Sequence, residues 1–481
     1  MGNYMEIQTG ALIIVLAYMV GMMIIGYVVG KINIKGSADY LVAGRRMGLF
    51  MVAFSLSANN IGGGSTTGLA QKAFGAWGIS AIWYVLAASL AMIPLAYFAP
   101  KIRKTMAVTI PEVVGRRFGK LSSNFTAVLS VLSLFCLTSS QIGASGAVIN
   151  ALIPSIPLNV CLLLAGYTTF GGMIADQVSD LIQFGIILVG LAIATPIVLK
   201  YAGGWQAISA ALPGEKLNMT QIGWASIIGY FFNYFCTFLC GPEMVSRFET
   251  CKDEKTAVRA SFLCAILMAA MSIFPTLLGL AAFALKDQLP GLAENGSNAM
   301  MVVTGAYAPG IITGLISAAI ICATMSSADS NLLCMSTMII NDIYPGFGGK
   351  KKLEDKQVIF YTRLCNVIAA LIAMGISMFG VSLVAMNTFA FGIRCAGPFA
   401  AYGLGLAVPK ATKNSGMISI FTGTIAFVVW QLLSNGGTLW FMMPVVFGSL
   451  VSVITFYVVN LIEWKRGVSA APSAYTVEEA K

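Results

Sequence analysis

Residues 57–68 read SANNIGGGSTTG, and they interrupt an otherwise apolar segment that covers residues 48–70. Three consecutive glycines and two asparagines hold a regular helix poorly, because glycine loses much conformational freedom and asparagine hydrogen-bonds the nearby backbone. An opened turn inside a membrane leaves carbonyl oxygens that a ligand, water or protein must satisfy. The stretch therefore predicts a broken membrane helix. Close packing of small residues against a neighbouring helix is the alternative.

The composition places most of the chain in a membrane. Of 481 residues, 58% are hydrophobic and 10% are charged. Thirteen apolar runs are long enough to cross ~30 Å of hydrocarbon, so we predict an all-α integral membrane protein with thirteen transmembrane helices. The runs cover residues 11–30, 48–70, 78–98, 124–152, 158–173, 179–199, 222–240, 261–283, 310–340, 358–378, 382–408, 418–433 and 440–464. The first run is too long for a signal peptide and is expected to be a retained anchor.

Lysine and arginine predict the orientation. With the N-terminus outside, all but five of the 29 basic residues fall on the inner side, as the positive-inside rule requires. The outer side holds Lys72, Lys200, Lys216 and Lys286, and Arg394 falls within a span. The C-terminus is then cytoplasmic and the membrane is the cell membrane. The net charge of +10 is explained as a topology signal, so no nucleic-acid partner is expected.

Several classes of function are disfavoured by what the sequence contains. Histidine is absent, which excludes His-ligated metal sites, and no nucleophile–base constellation is visible, so an enzyme is not expected. The ten cysteines form no CxxC pair and are interpreted as apolar packing residues. A membrane sensor that keeps a transporter fold is the alternative function, although the tail after Trp464 is shorter than an output domain. No obligate protein partner is evident, and a passive channel also remains open.

A second polar stretch, ATMSSADSNLL at residues 323–333, lies in an otherwise apolar helix. Helical spacing places Ala323, Ser326 and Ser330 on one face, with Ser327 and Asp329 beside them. Na⁺ is a hard cation that accepts neutral oxygens, so hydroxyls from this helix and carbonyls from the broken helix together predict a sodium site. Bonding of each serine to its own helix backbone is the alternative.

A further break, Gly241-Pro242 in FLCGPEMVSR, ends the seventh predicted span. Transporters built from inverted repeats interrupt the first helix of each repeat near the binding site. Spans two and seven fit that pattern, although the second break lies nearer the inner end of its span.

Five motifs in order resemble the sodium:solute symporter family: DYLVAGRRMG (39–48), ANNIGGGSTTG (58–68), TIPEVVGRRFG (109–119), GGMIADQVSDLIQ (171–183) and SSADSNLLCMSTMIINDIY (326–344). The resemblance implies a five-plus-five inverted-repeat core of spans two to six and seven to eleven, working by alternating access. It divides the chain into an anchor helix and inner loop (1–46), two repeats (47–200 and 201–413), and two C-terminal helices with a short tail (414–481).

The same resemblance implies the positions of the sodium ligands. The shared site maps onto the carbonyls of Ala58, Ile61 and Ala323 and the hydroxyls of Ser326 and Ser327. Asp180 matches an aspartate that lies near a second sodium in some members, which gives a second site of Asp180, Ser326, Asp329 and Ser330. Those members carry two serines where this chain has Asp329-Ser330, so the second site departs from their pattern. A helix cap at the inner end of the sixth span is the alternative role of Asp180.

The solute site is less defined. By resemblance the solute lies beside the broken helix, near Asn60, Ser65, Trp83 or Tyr84, Gln141, Tyr234, Thr237 and Phe391. Arg394 has two interpretations: a structural one, as an ion pair with Asp180, Asp329 or Glu243 or a side chain that snorkels to the inner interface, and a functional one, as a receptor for a carboxylate of the solute. We therefore predict sodium-coupled uptake of a small hydrophilic solute, carboxylate-bearing in the second interpretation, with Na⁺, the solute and the lipid bilayer as partners.

Overall fold

The computed structural model describes residues 17–18, 20–21, 24–152, 172–346, 353–378, 383–435, 439 and 442–475, and this part of the chain is nearly all helical. Within it, seven helices are long and apolar enough to cross a membrane. These are Gly78–Lys104, Lys120–Gly143, Met173–Tyr201, Glu254–Ala284, Asp355–Met378, Lys413–Leu433 and Pro444–Lys465. The plan of thirteen spans stays a prediction, because part of the first predicted span and most of the fifth lie outside the described residues.

The helices are numbered here in chain order. The first nine are α1 (Ile24–Asn33), α2 (Ser37–Val42), α3 (Leu49–Asn60), α4 (Thr67–Phe74), α5 (Trp83–Lys104), α6 (Ile110–Phe118), α7 (Lys120–Leu152), α8 (Gly172–Tyr201) and α9 (Gly204–Ala211). The next nine are α10 (Trp224–Leu239), α11 (Pro242–Glu249), α12 (Glu254–Ala284), α13 (Ala299–Tyr307), α14 (Gly310–Met338), α15 (Asp355–Met378), α16 (Leu383–Cys395), α17 (Lys413–Leu433) and α18 (Pro444–Lys465). The predicted spans did not include α2, α6, α9, α11 and α13, which fall in the predicted loops.

Short turns connect these helices. Five are 3₁₀ turns: Ala43–Arg45, Gly63–Ser65, Gly78–Ile82, Gly214–Leu217 and Lys286–Gln288. Two π-helical turns, Ile339–Ile343 and Ala400–Leu404, follow α14 and α16, and each leads into a three-residue helical turn, Tyr344–Gly346 and Gly405–Ala407.

Both predicted breaks occur. The segment at 48–70 divides into α3 and α4, separated by the turn Gly63–Ser65. The segment at 222–240 ends with α10, and α11 restarts at Pro242, where proline is favoured because its missing N–H is not needed in a first helical turn. Two interrupted segments support the predicted repeat arrangement, which itself stays a prediction.

The outer surface of the helix bundle is apolar, as a surface in contact with lipid requires. Large apolar side chains stand on the outside of the bundle, among them Phe50 (67% exposed), Ile311 (75%) and Leu432 (72%). The two C-terminal helices α17 and α18 pack along each other. A long helix, α12, packs against α5 and α4. At this contact a Cβ built on Gly279 would lie 2.2 Å from the carbonyl oxygen of Ala70, so only glycine permits the approach.

Two of the motifs serve the fold. In TIPEVVGRRFG, the hydroxyl of Thr109 accepts the backbone N–H of Glu112 at 3.2 Å and caps α6, and the Glu112 carboxylate accepts the N–H of Val108 at 2.8 Å. The buried Arg117 at the other end donates to the carbonyl of Pro409 at 3.0 Å.

A further cap begins α12, where Asp253 accepts the N–H of Thr256 at 2.6 Å, and this bond lowers the pKa of Asp253.

The motif DYLVAGRRMG forms α2 and the turn after it. Ala43, Gly44 and Arg45 all have left-handed φ values, 51°, 59° and 55°. The turn aims the Arg45 guanidinium at the carbonyls of Met106 and Ala107, 2.8 and 2.9 Å away. The motif thus ties the start of the bundle to the end of α5.

Candidate functional site

The glycine-rich break is held open by its own hydroxyl groups. The Ser65 hydroxyl donates to the carbonyl of Asn60 at 2.9 Å and accepts the N–H of Gly62 at 3.0 Å. The Thr66 hydroxyl donates to the carbonyl of Gly62 at 2.9 Å. The Asn60 amide turns back to the carbonyl of Leu56 at 2.8 Å. These bonds satisfy part of the backbone that the missing helical turn exposes.

The three glycines do not serve close packing. A Cβ built on Gly62, Gly63 or Gly64 would find its nearest neighbour 3.6, 3.7 or 3.5 Å away, which is ordinary van der Waals contact. The packing alternative is therefore wrong for these positions. The neighbours are Gln141 at Gly62, Thr324 at Gly63 and Tyr84 at Gly64, so three other helices surround the break without filling it.

The predicted sodium ligands lie on both sides of one interface. Ala58 and Ile61 are 4% and 1% exposed at the end of α3, and Ser326 and Ser327 are each 5% exposed on α14. Ala323 lies in α14 as well. Both α3 and the turn Gly63–Ser65 pack against α14. The structure therefore brings together the helix segments that the sequence selected.

A buried charge cluster adjoins this interface. Arg247, 0% exposed, donates from Nη2 to Asp180 at 2.8 Å, to Asp176 at 3.0 Å and to the Ser330 hydroxyl at 2.7 Å. Its Nε donates to the Ser55 hydroxyl at 2.8 Å. A guanidinium with several fixed donors can hold carboxylates and hydroxyls at one point in this way. We name these five residues the Arg247 cluster.

The Arg247 cluster connects to the serine stretch of α14. The Ser326 hydroxyl donates to Oδ1 of Asp180, and the Ser55 hydroxyl donates to Oδ2 of Asp180 at 2.5 Å. The Ser330 hydroxyl lies 2.8 and 2.9 Å from the two carboxylate oxygens of Asp176. Ser326 and Ser330 therefore reach across to α8. Of the predicted second sodium site, the structure brings Asp180, Ser326 and Ser330 together, and Asp329 lies half-buried on the same helix.

The sequence missed three members of this cluster, Arg247, Asp176 and Ser55. Arg247 was assigned to an inner loop as a topology signal, which is wrong because α11 re-enters the protein after the Gly241-Pro242 break. Hydropathy cannot show such a return. The carboxylate of Asp176 was also missed, although its position one helical turn before Asp180 was visible in GGMIADQVSDLIQ.

The proposed cap role of Asp180 is wrong. The predicted sixth span began at residue 179, but α8 begins at Gly172, so Asp180 lies eight residues inside the helix and is 1% exposed. The charged residues of its first turns had shortened the apolar run. A carboxylate in that interior position has to be paired or to bind a cation.

Arg394 forms a buried ion pair across the second break. Its Nη1 and Nη2 donate to Oε2 and Oε1 of Glu243, each at 2.6 Å, and the two residues are 1% and 5% exposed. A Cβ built on Gly241 would lie 3.2 Å from Nη2. The interpretation of Arg394 as an ion-pair partner of Glu243 is confirmed. Solute contact by Arg394 stays untested, and both terminal nitrogens already face a carboxylate.

Aromatic rings of α5 and α10 lie beside the break. Tyr84 packs edge-on against Tyr230 and Tyr234, with ring centroids 5.8 and 6.0 Å apart. By contrast, the Trp83 indole donates to the carbonyl of Met219 in an adjoining loop at 2.9 Å, so of the two predicted residues Tyr84 is the one beside the break.

The other predicted solute residues are more dispersed. Thr237 is 1% exposed on α10, and its hydroxyl has no hydrogen-bond partner in the described part of the chain. Phe391 lies on α16, with its ring centroid 5.2 Å from the Arg394 guanidinium. Gln141 belongs to α7 and approaches Gly62, as noted above.

Comparison with known proteins supplies the family. The model of the sodium:solute symporter family matches residues 40–423. A sodium/proline symporter of Staphylococcus aureus is 25% identical over 484 aligned residues, covering 95% of this chain and 93% of that protein.

Solved structures share the fold. A Na⁺-coupled sialic acid symporter in a substrate-bound outward-open state superposes with a TM-score of 0.81 at 20% identity, covering 96% of this chain and 99% of that one. A nucleobase-cation-symport-1 family transporter in a closed conformation gives a TM-score of 0.57 at 14% identity, with 93% and 98% covered. These relatives are secondary transporters, which confirms that the chain is not an enzyme and gives the sensor alternative no support.

Proposed function

The chain belongs to the sodium:solute symporter family, and from that premise we propose that it takes up a small hydrophilic solute together with Na⁺ by alternating access. The observation that carries the proposal is the interface between the broken helix and the buried serines of α14. Carbonyls of Ala58, Ile61 and Ala323 and hydroxyls of Ser326 and Ser327 supply the neutral oxygens that Na⁺ accepts. Five such ligands match the coordination number that the ion prefers.

Sodium couples to the solute through the break itself. The ion joins α3 to α14, so its binding favours the arrangement in which these helices lie together. A solute beside Asn60 and Ser65 contacts the same opened turn. Each ligand thus stabilises the conformation that the other binds, and their effects are reciprocal.

The Arg247 cluster supports a second sodium ion. Asp176 and Asp180 carry two formal negative charges, and Arg247 supplies one positive charge, so one negative charge is left in a buried place. A cation bound by Asp180, Ser326 and Ser330 neutralises it. The guanidinium fixes the carboxylates in position and the ion completes the charge balance.

The membrane arrangement follows the sequence prediction. The protein lies in the plasma membrane, with its N-terminus outside the cell and its C-terminus in the cytoplasm. Spans two to six and seven to eleven, within residues 47–200 and 201–413, form the two inverted repeats. The breaks at 61–66 and 240–241 then interrupt the first helix of each repeat.

Uptake into proteoliposomes tests the proposal. The purified protein is reconstituted, an inward Na⁺ gradient is imposed, and a panel of labelled solutes that begins with proline and sialic acid is offered. We expect accumulation of one solute above its equilibrium level with Na⁺ and no accumulation with K⁺ in its place. Equilibration without accumulation would identify a passive channel instead.

A further inference from the structure

Lys72 occupies an unusual position for a charged residue. It lies in the last turn of α4, the part of the broken helix beyond the glycines, and is only partly exposed. Its Nζ lies 4.0 Å from the ring centroid of Trp77 and 5.1 Å from that of Tyr84. Within the described residues, no carboxylate lies within 4.0 Å of this ammonium. The charge is thus held against aromatic faces and has no anionic partner there.

The other three lysines of the predicted outer side have different surroundings. Lys216 donates to the carbonyl of Phe74 at 2.6 Å and to that of Gly75. Lys286 lies 4.9 Å from the ring centroid of Phe283 but is exposed to solvent, and Lys200 is exposed at the end of α8.

These surroundings also remove a structural explanation for Lys72. A lysine in a last helical turn commonly satisfies the terminal carbonyls. Lys216 already serves that purpose at α4, so helix termination does not require Lys72.

Tyr84 connects Lys72 to the break. Its hydroxyl lies 3.5 Å from the position of a Cβ on Gly64, and its ring faces the Lys72 ammonium. Tyr230 extends the same aromatic wall, with its ring centroid 5.9 Å from that of Trp77. A solute that contacts the opened turn can therefore reach past Tyr84 to the ammonium.

Arg394, the residue predicted to receive an anionic solute, is already neutralised by Glu243. Arg394 is the basic residue that falls within a predicted span, but its two terminal nitrogens bind Glu243. Lys72 retains ammonium donors that the rings do not satisfy, because a π-face attracts the charge without accepting a full hydrogen bond.

We propose that Lys72, Trp77 and Tyr84 form an outer subsite that binds the carboxylate of the transported solute. This rests on the proposed function and names its substrate class, a small carboxylate-bearing molecule. The ammonium pairs with the carboxylate, and Trp77 and Tyr84 exclude water from the pair, which strengthens it. The solute's other end lies toward the glycine break.

Matched pairs of acids and amides test the subsite. Proline with prolinamide, lactate with lactamide and gluconate with gluconamide are compared as substrates and as competitors of uptake in proteoliposomes. The variants are Lys72→Met, Lys72→Arg and, as a control for loss of one outer positive charge, Lys200→Met. Half-saturating concentrations are measured separately for solute and for Na⁺, and Na⁺-dependent thermal stabilisation of each purified variant verifies folding.

In the wild type, the acid of the transported pair should bind at least ~tenfold more tightly than its amide, as expected for loss of a partly desolvated charge pair. Lys72→Met should raise the half-saturating concentration of the acid by a similar factor and leave that of Na⁺ unchanged. Lys72→Arg should recover most of the affinity, and Lys200→Met should have none of these effects.

Several results would overturn the subsite. They are an amide bound as tightly as its acid, or unchanged acid affinity in Lys72→Met. Sodium-dependent uptake of only neutral or cationic solutes would remove the subsite and leave the proposed function intact. No uptake of any compound and no stabilisation by Na⁺ would contradict the proposed function itself, and the subsite with it.

Discussion

Breaking the Arg394–Glu243 pair should destabilise the protein more than replacing both of its members. The pair is joined by two charge-assisted hydrogen bonds of 2.6 Å and is almost fully buried. Removal of one partner leaves an uncompensated buried charge, which costs about 3–5 kcal/mol of unfolding free energy. Replacement of both by apolar groups of similar volume removes that penalty, because no charge is left inside.

The assay is a double-mutant cycle. Arg394→Met, Glu243→Leu and the double variant are unfolded with denaturant in mixed micelles and followed by tryptophan fluorescence. We expect each single variant to lose about 3 kcal/mol or more, and the double variant to lose at least ~2 kcal/mol less than the sum of the two. Arg46→Met is the control, since Arg46 is 52% exposed and lies 3.5 Å from Asp39. That variant should lose less than ~1 kcal/mol.

The cycle also separates the two roles of Arg394. If the pair is structural, Arg394→Lys lowers stability and changes the half-saturating concentration of the solute little. Additive losses, together with single variants as stable as the wild type that bind solute weakly, would refute the ion-pair reasoning. Arg394 would then be a solute ligand.

Further predictions concern sodium, the charge cluster and the glycines. Ser327→Ala should raise the half-saturating Na⁺ concentration at least ~tenfold, equal to ~1.4 kcal/mol, with the maximal rate retained in uptake assays. Asp180→Asn should abolish coupled accumulation, whereas Asp176→Asn should mainly alter the Na⁺ dependence of uptake; wild-type behaviour of both would make the cluster purely structural. Gly63→Ala should fold normally, since its Cβ has 3.7 Å of space, whereas Gly279→Ala should fold poorly, since its Cβ would lie 2.2 Å from a carbonyl oxygen; equal thermal stabilities would contradict this. Uptake of a monoanion with two Na⁺ should be electrogenic, because one net positive charge moves inward in each cycle. A tenfold gradient of the two ions and 100 mV acting on that charge together supply ~5 kcal/mol. Absence of an inward current on a solid-supported membrane would refute that stoichiometry.

The breaks were predictable because local chemistry determines them. Three glycines in a row and a Gly-Pro pair weaken a helix whatever surrounds them, and both interruptions occur where the sequence placed them. The serines of α14 were also visible, because hydroxyls and a carboxylate stand out in an apolar helix. Ligand chemistry suggested that they share a sodium site with the broken helix, whereas the individual carbonyl ligands were implied only by the family resemblance.

Arg247 shows why the rest of the site was hidden. It lies seven residues after the end of the predicted span at 222–240, and in a linear sequence such a position cannot be told from that of a loop arginine. Only the return of α11 into the protein places it against Asp176, Asp180 and Ser330. Long-range pairing of this kind depends on tertiary packing, which neither hydropathy nor motif spacing contains.

The surroundings of Arg394 and Lys72 could not be predicted from the sequence. The arginine stood out in the sequence as a charge within a span, yet the structure pairs it with Glu243. Lys72 was one of four lysines on the predicted outer side, and nothing in the sequence indicated a site there. Its position against Trp77 and Tyr84 depends on how α4 and α5 meet beyond the break.

Binding of radioactive Na⁺ to the purified protein tests the central claim most directly. Equilibrium binding is measured on the wild type, on Ser326→Ala and Ser327→Ala, and on Ser419→Ala as a buried serine of α17 outside the site. We expect saturable binding in the wild type and in Ser419→Ala, with affinity reduced at least ~tenfold in the other two variants. Equal affinity in all four proteins, or no saturable binding in the wild type, would contradict the assignment of sodium to the broken helix and α14.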